Sequence, residues 1–90
     1  MAITFDRAKN EKNIVERRLS FELVAELDWR TALVRVDDRY DYGETRLAVL
    51  GLLEGRLHVA VVTPRGEDLR VISFRKANRK ELEFYEQSDR

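Results

Sequence analysis

Three apolar runs separated by two tight-turn sequences constrain the fold of this chain most strongly. Residues 46–53 and 56–63 are dense in apolar side chains, and only Glu54-Gly55 separates them. A two-residue connection that ends in glycine is typical of a β-hairpin. A second turn, Thr63-Pro64-Arg65-Gly66, has proline where a type I turn favours it at the first central position, and glycine at its last. A third run over residues 68–76 follows, so the pattern predicts three consecutive antiparallel strands.

The residues before these strands predict helices. Residues 2–6 read as a short opening strand, and Asp6 is a suitable N-cap for a helix over about residues 7–17. Ser20 precedes a second, shorter helix over residues 21–27, in which the apolar side chains fall on one face.

The remaining segments predict one more strand and one more helix. From Thr31 onward, apolar residues alternate with other side chains, which is the spacing of a strand. Asn78 and Glu81 form a capping box at the start of a helix over about residues 79–87. The chain therefore predicts one α+β domain over residues 1–90, with two N-terminal helices, an antiparallel sheet of about four strands and one C-terminal helix.

Pairing across the second hairpin decides which side chains share a face of the sheet. If Thr63 lies opposite Asp68, then His58 lies opposite Ser73 on a partly polar face. The same register places Arg70 on the apolar face that carries the core. A slip of one residue would exchange the two faces.

Composition argues against several classes of protein. The chain has no cysteine and a single histidine, so it offers neither a thiolate site nor a histidine cluster for a metal, and we expect no metal or other cofactor. No apolar run approaches the roughly 18 residues that a membrane span requires. The first six residues lack the charged and apolar regions of a signal peptide. We therefore predict a cytoplasmic protein that does not bind membranes.

Positive charge is concentrated towards the end of the chain, although the formal net charge is zero. Residues 65–80 contain six basic and two acidic side chains. A local basic face on a neutral protein can bind the phosphates of RNA, while acidic segments limit non-specific binding. A solvated face of scattered arginines is the alternative explanation.

A set of short motifs resembles a known family. The motifs are Asp6…Lys9…Asn13, Ser20-Phe21-Glu22, Asp41-Tyr42-Gly43-Glu44-x-Arg46, Thr63-x-Arg65-Gly66 and Arg70-x-Ile72-Ser73-x-Arg75-Lys76-Ala77…Glu81…Tyr85. Over nearly the whole chain they resemble the BrnT family, the toxins of type II toxin–antitoxin pairs. The resemblance implies a RelE-like fold and an RNA substrate, cleaved without metal so that translation and growth stop. It also implies a BrnA-like ribbon-helix-helix antitoxin, with operator DNA bound only through the toxin–antitoxin complex.

The chain departs from the family pattern at one place. Where the family usually has Lys-His-Gly, this sequence has Glu16-Arg17-Arg18. If the family histidine takes part in cleavage, Arg17 cannot replace it as a proton shuttle, because guanidinium does not lose its proton at neutral pH. Two functions therefore stay open: an active endoribonuclease toxin, or a catalytically weak homologue that binds RNA or the antitoxin and serves in repression.

Candidate catalytic residues follow from what cleavage of RNA without a metal requires. The ribose 2′-hydroxyl must be activated, the phosphate charge stabilised and the leaving oxygen protonated. We expect Arg65, Arg75 and Lys76 to bind phosphate, with a solvated surface charge as the alternative for each. Tyr85 would stack on a base or act as an acid, unless it holds the last helix on the sheet. His58 would transfer protons, as histidine can near neutral pH, unless it is a structural strand residue.

A second group of candidates would bind RNA. Lys9, Lys12 and Arg17 lie on the first helix and would form the opposite wall of an RNA groove, unless they are a solvated helix face. Ser73 would bond to phosphate or to backbone, and Arg70 would bind phosphate or pair with a buried carboxylate. The nuclease hypothesis depends on the guanidinium groups of the last hairpin and its outgoing strand converging in one anion pocket.

Overall fold

A mixed five-stranded sheet organises the chain. A computed structural model describes residues 2–88, in which the elements in chain order are β1 (Ile3–Phe5), α1 (Arg7–Arg17), a 3-10 helix (Phe21–Glu26), β2 (Leu33–Val36), β3 (Leu47–Leu53), β4 (Arg56–Arg65), β5 (Asp68–Lys76) and α2 (Arg79–Gln87). The strand order across the sheet is β1-β5-β4-β3-β2. Strand β1 runs parallel to β5, and the other neighbouring pairs are antiparallel. None of the helices in residues 2–88 has the length and apolar character to cross a membrane.

The predicted four-stranded antiparallel sheet is wrong because β1 joins it as a fifth strand. Ile3 lies opposite Leu69 and Phe5 opposite Val71, in a parallel pairing. The two strands are separated by more than sixty residues, and parallel strands require a long crossover connection. Local alternation predicts that β1 is extended, but it carries no information about the strand with which it pairs.

The prediction of two N-terminal helices is also wrong, because the second segment is a single short 3-10 helix. Phe21, Val24 and Leu27 are buried, and they recur every three residues. That spacing matches the three residues per turn of a 3-10 helix, which places the three side chains on one line. Ser20 caps this helix, since its Oγ accepts a hydrogen bond from the backbone N–H of Glu22 at 3.2 Å.

The first hairpin is confirmed. Glu54 and Gly55 form the two-residue turn, and both have positive φ, at 50° and 79°. Positive φ at both central residues is the geometry of a type I′ turn, which matches the twist of the flanking strands. Leu52 therefore lies opposite Leu57, the pairing that a two-residue loop at Glu54-Gly55 gives.

The predicted register of the second hairpin is wrong for two reasons. Arg65 pairs with Asp68, so the turn is two residues tighter than the sequence suggests, and Arg70 lies opposite Thr63. A β-bulge then leaves Ile72 as an extra residue in β5. Beyond a bulge the register shifts by one residue, which exchanges the faces. His58 consequently lies opposite Lys76 rather than opposite Ser73.

The two faces of the sheet are covered by different elements. One face, called here the core face, contains Val62 and Phe74 and packs against the 3-10 helix. The other, called the α2 face, contains Leu50 and Val59 and packs against Tyr85 of α2. Because strand residues alternate between faces, Arg75 lies on the α2 face together with its partner Val59. The part of the α2 face beside α2 contains the candidate site.

Amide side chains attach α1 to the rest of the molecule. The buried Asn13 donates hydrogen bonds from Nδ2 to the carbonyl oxygens of Leu19 and Phe74, both at 2.9 Å. Asn10 Oδ1 accepts a hydrogen bond from the backbone N–H of Phe21 at 2.7 Å. Helix α1 therefore lies beside β5, at the side of the sheet away from β2.

Candidate functional site

A pocket of about 240 Å³ crosses the α2 face between β2 and β5. Its floor is apolar and comes from the two central strands, through Ala48, Leu50, Val59 and Val61. Its polar wall combines guanidinium and carboxylate groups, from Arg35, Asp37, Asp38, Arg39, Arg75 and Glu81. Charged groups above an apolar floor are shielded from water on one side, so their interactions are stronger than on an open surface.

Arg75 and Glu81 form a two-point ion pair in the pocket. Arg75 Nη1 donates to Glu81 Oε1 at 2.7 Å and Nη2 donates to Oε2 at 2.8 Å. The capping box at the start of α2 holds the carboxylate in place, because Oε1 also accepts from the backbone N–H of Asn78 at 2.8 Å. The hydrogen bonds from Arg75 lower the pKa of Glu81, and those to Glu81 raise the pKa of Arg75.

Asp37 and Arg39 form a second two-point pair at the β2 side of the pocket. Arg39 Nε and Nη2 donate to the two carboxylate oxygens of Asp37 at 2.8 and 3.0 Å. The side chain of Asp37 is buried, whereas 70% of the Arg39 side chain remains exposed. Hydrogen bonds from Arg39 lower the pKa of Asp37, so both members of the pair are charged at neutral pH.

Arg35 supplies the third guanidinium group. It lies on β2 opposite Ala48, with its guanidinium carbon 4.8 Å from the centre of the Phe84 ring on α2. Its positive charge contributes to lowering the pKa of Glu81. The pocket therefore brings together three guanidinium groups from two strands and the connection after β2.

The family assignment comes from comparison with known proteins. Residues 5–81 match a family model described as the ribonuclease toxin, BrnT, of type II toxin–antitoxin systems. The chain belongs to the BrnT family. Membership implies an RNA substrate and an antitoxin partner, and it confirms the resemblance seen in the sequence. A search of curated proteins finds no match to this BrnT chain.

The arginines predicted to converge in this BrnT protein do not share one pocket. Arg75 lines the pocket, whereas Arg65 pairs with Glu44 at 3.1 Å near the β4–β5 turn. Arg75 lies opposite Val59, which is six residues from Arg65 along β4. At about 3.3 Å per residue, the backbones at the two positions are roughly 20 Å apart.

The other predicted residues of β5 lie at different distances from the pocket. Arg70 lies on the α2 face opposite Thr63 and is half-buried. Ser73 lies opposite Val61, a residue of the pocket floor, so Ser73 adjoins the pocket. Lys76 is exposed at the end of β5 and lies opposite His58.

His58 and Tyr85 make the structural contacts that the sequence left open as alternatives. His58 is 3% exposed on the core face, with Nδ1 2.8 Å from the carbonyl oxygen of Arg56 and its ring 5.4 Å from that of Phe74. The buried Tyr85 donates its hydroxyl to the carbonyl oxygen of Thr31 at 2.9 Å. The pocket lies on the face opposite to His58.

The predicted residues of α1 lie apart from the pocket. Lys9 and Lys12 are exposed, and Arg17 Nη1 donates to Asn13 Oδ1 at 2.9 Å. Helix α1 lies beside β5 at the side away from β2, and the described pocket wall contains none of these three residues. Their role in RNA binding remains a prediction.

Sequence reasoning missed most of the charged groups of the pocket. Arg35 and Arg39 belong to a segment that is not basic overall, and Glu81 enters the sequence analysis as a capping residue and a motif position but not as a site residue. One signal was present in the sequence. Arg35 stands between Val34 and Val36 in an alternating run, so its side chain lies on the opposite face of the strand from the two valines.

The two lowered carboxylate pKa values predict a loss of stability in acid. Both carboxylates bind protons less readily when the chain is folded, so the unfolded chain takes up more protons in acid. The free energy of unfolding therefore decreases as the pH is lowered. The contribution is fully present above the ordinary pKa values of 3.8 for Asp37 and 4.5 for Glu81 and is lost below them. Urea unfolding from pH 7 to pH 3 should show a smaller decline for the Asp37→Asn/Glu81→Gln double variant. Equal declines would contradict the prediction.

Proposed function

We propose that this BrnT protein is a metal-independent endoribonuclease that acts in the cytoplasm, arrests translation and growth, and is neutralised by a BrnA-like ribbon-helix-helix antitoxin. The observation that carries the proposal is the pocket on the α2 face, which places three guanidinium groups beside two ionised carboxylates. Guanidinium groups stabilise phosphate charge, and a carboxylate accepts a proton, so the pocket holds groups for two of the three requirements of the reaction, and water supplies the proton for the leaving oxygen.

Phosphate binding is assigned to Arg75, Arg39 and Arg35. A guanidinium fork fits the oxygens of phosphate as well as those of carboxylate, so a phosphate can replace a carboxylate on the same donors. The side chains of Arg75 and Arg39 are 38% and 70% exposed, so both are within reach of a ligand.

Proton abstraction is assigned to Glu81. When phosphate takes over the donors of Arg75, the hydrogen bonds that lower the pKa of Glu81 are lost, and the carboxylate becomes a stronger base. It accepts the proton of the ribose 2′-hydroxyl, whose oxygen attacks phosphorus while the bond to the 5′ oxygen breaks. The leaving oxygen takes a proton from water, and the hydroxide that remains takes the proton from Glu81, which restores the carboxylate. The products are a 2′,3′-cyclic phosphate and a 5′-hydroxyl end.

The test is cleavage of RNA by the purified full chain in the presence of EDTA. We expect cleavage to proceed with chelator and to leave 2′,3′-cyclic phosphate ends, because the mechanism uses no metal. RNA with 2′-O-methyl groups should stay intact, since it lacks the attacking hydroxyl. Cleavage that EDTA abolishes and Mg²⁺ restores would overturn the metal-independent mechanism. In bacteria, expression of the chain should stop growth, and co-expression of a neighbouring ribbon-helix-helix protein should restore it.

A second candidate function is a toxin homologue with little or no turnover. Two observations favour it: Arg75 and Arg39 are each neutralised by a carboxylate, and His58 is buried on the core face. Such a protein would bind the antitoxin, and operator DNA through that complex, or bind RNA without cutting it. Folded protein that binds either partner but leaves RNA intact would support this second function.

A further inference from the structure

The connection between β2 and β3 is tied down beside the pocket by side-chain contacts. The hydroxyl of Tyr42 donates to Asp37 Oδ2 at 3.4 Å, and the guanidinium carbon of Arg46 lies 3.9 Å from the centre of the Tyr42 ring. Glu44 accepts from Arg46 at 3.4 Å and from Arg65 at 3.1 Å. Side-chain contacts of Tyr42 and Glu44 therefore hold this connection in place between its flanking strands.

An exposed aromatic ring stands on this connection. Tyr40 directly follows Arg39, a residue of the pocket wall, and it is 71% exposed. Its ring meets that of Tyr42 edge to face, with the centres 5.8 Å apart and the planes at 76°. The neighbouring Tyr42 is covered on one face by Arg46, whereas most of the Tyr40 surface is open to solvent.

The position of Tyr40 suits a nucleobase next to a bound phosphate. Single-stranded RNA is recognised largely by unstacked bases that lie against aromatic rings, and this contact tolerates any base because every base has a flat face. In an RNA duplex the bases are stacked and paired, so they cannot lie against such a ring. Tyr40 is the next residue after Arg39 in the chain, so it is a suitable position for a contact with the nucleoside that adjoins a phosphate held by Arg39.

We propose that Tyr40 is a stacking site for an unpaired nucleobase of the RNA, and that it makes the protein select single-stranded RNA. The inference rests on the proposed function, since it takes the pocket as the place of the phosphate. Tyr40 is here a binding residue and takes no part in proton transfer.

The experiment measures binding of fluorescent 2′-O-methyl RNA, which cannot be cut, to the full chain and to variants at position 40. Tyr40→Ala and Tyr40→Leu should raise the Kd for a single strand by roughly 5- to 150-fold, the effect of losing one stacked base. Tyr40→Trp should bind about as well as the wild type, because it keeps a flat aromatic ring. The Kd for a duplex of the same sequence should be equal in all four proteins.

The outcomes separate this inference from the proposed function. Folded wild-type protein that binds no RNA and cuts none would overturn the proposed function itself. Wild-type binding that Tyr40→Ala leaves unchanged would overturn the stacking site alone. If Tyr40→Ala weakened binding of the antitoxin and left RNA binding unchanged, the ring would belong to a protein interface and the stacking site would likewise be wrong.

Discussion

Replacing Glu81 by glutamine is expected to slow RNA cleavage by about 10²- to 10⁴-fold, the usual contribution of a positioned general base. Glutamine keeps the size of the side chain and an oxygen that can accept from the backbone N–H of Asn78, so the capping box of α2 is retained. It cannot take a proton from the 2′-hydroxyl. Binding should be kept or become tighter, because Arg75 loses the charged carboxylate that competes with phosphate.

Two measurements on this variant distinguish loss of the base from loss of the pocket. Single-turnover cleavage reports the chemical step, and the Kd of 2′-O-methyl RNA reports binding. Glu83→Gln is the matched control, because Glu83 is an exposed carboxylate on the same helix, paired with Arg79 at 3.7 Å and outside the described pocket wall. It should cleave at the wild-type rate. Cleavage by Glu81→Gln at that same rate would remove Glu81 from the mechanism.

Arg75 is expected to affect RNA binding, and the conservative variant Arg75→Lys tests this role. Arg75→Lys keeps the positive charge but loses the two parallel hydrogen bonds that the guanidinium makes to Glu81. We expect this variant to bind 2′-O-methyl RNA more weakly than the wild type, whereas Glu81→Gln binds at least as well. A pair of variants that changed binding in the same direction would contradict the division of roles between the two side chains.

Helix-capping and turn preferences predicted correctly the elements that neighbouring residues in the sequence stabilise. Asp6 caps α1 by accepting from the backbone N–H of Lys9 at 3.0 Å, and Asn78 with Glu81 forms the predicted capping box. The type I′ turn at Glu54-Gly55 is likewise decided by two residues. In each case the side chains and the backbone groups they satisfy lie within four residues, so the sequence displays both partners together.

The errors that changed the candidate site came from strand pairing, which the sequence does not display locally. The extra residue at Ile72 is an ordinary β-strand residue by type, and nothing in its neighbours marks it as a bulge. Yet it moves His58 to the opposite face from Arg75, which decides whether an imidazole can reach the pocket. The pocket itself joins Arg35 to Arg75 across four strands, whereas a count of charges along the chain finds only clusters that are contiguous in sequence.

Replacing Asn13 by alanine is expected to lower the free energy of unfolding by about 2–4 kcal/mol. The substitution leaves two carbonyl oxygens, those of Leu19 and Phe74, without their buried donor, and each such loss exceeds the value of an ordinary exposed hydrogen bond. Alanine is a better helix former than asparagine by about 0.5 kcal/mol, and this gain offsets a small part of the loss in the free energy of unfolding. Urea unfolding of the full chain at pH 7 provides the measurement.

Lys12→Ala is the control for Asn13→Ala, because it adds alanine to the same helix at an exposed position and should change the free energy of unfolding by less than about 0.5 kcal/mol. A loss below about 1 kcal/mol for Asn13→Ala would mean that water replaces the amide and that α1 is only loosely attached. The distinction bears on the pocket, since Asn13 binds the carbonyl group of Phe74, the residue directly before Arg75. If Asn13 holds this part of β5 in place, Asn13→Ala should also weaken RNA binding at temperatures where the variant is still folded.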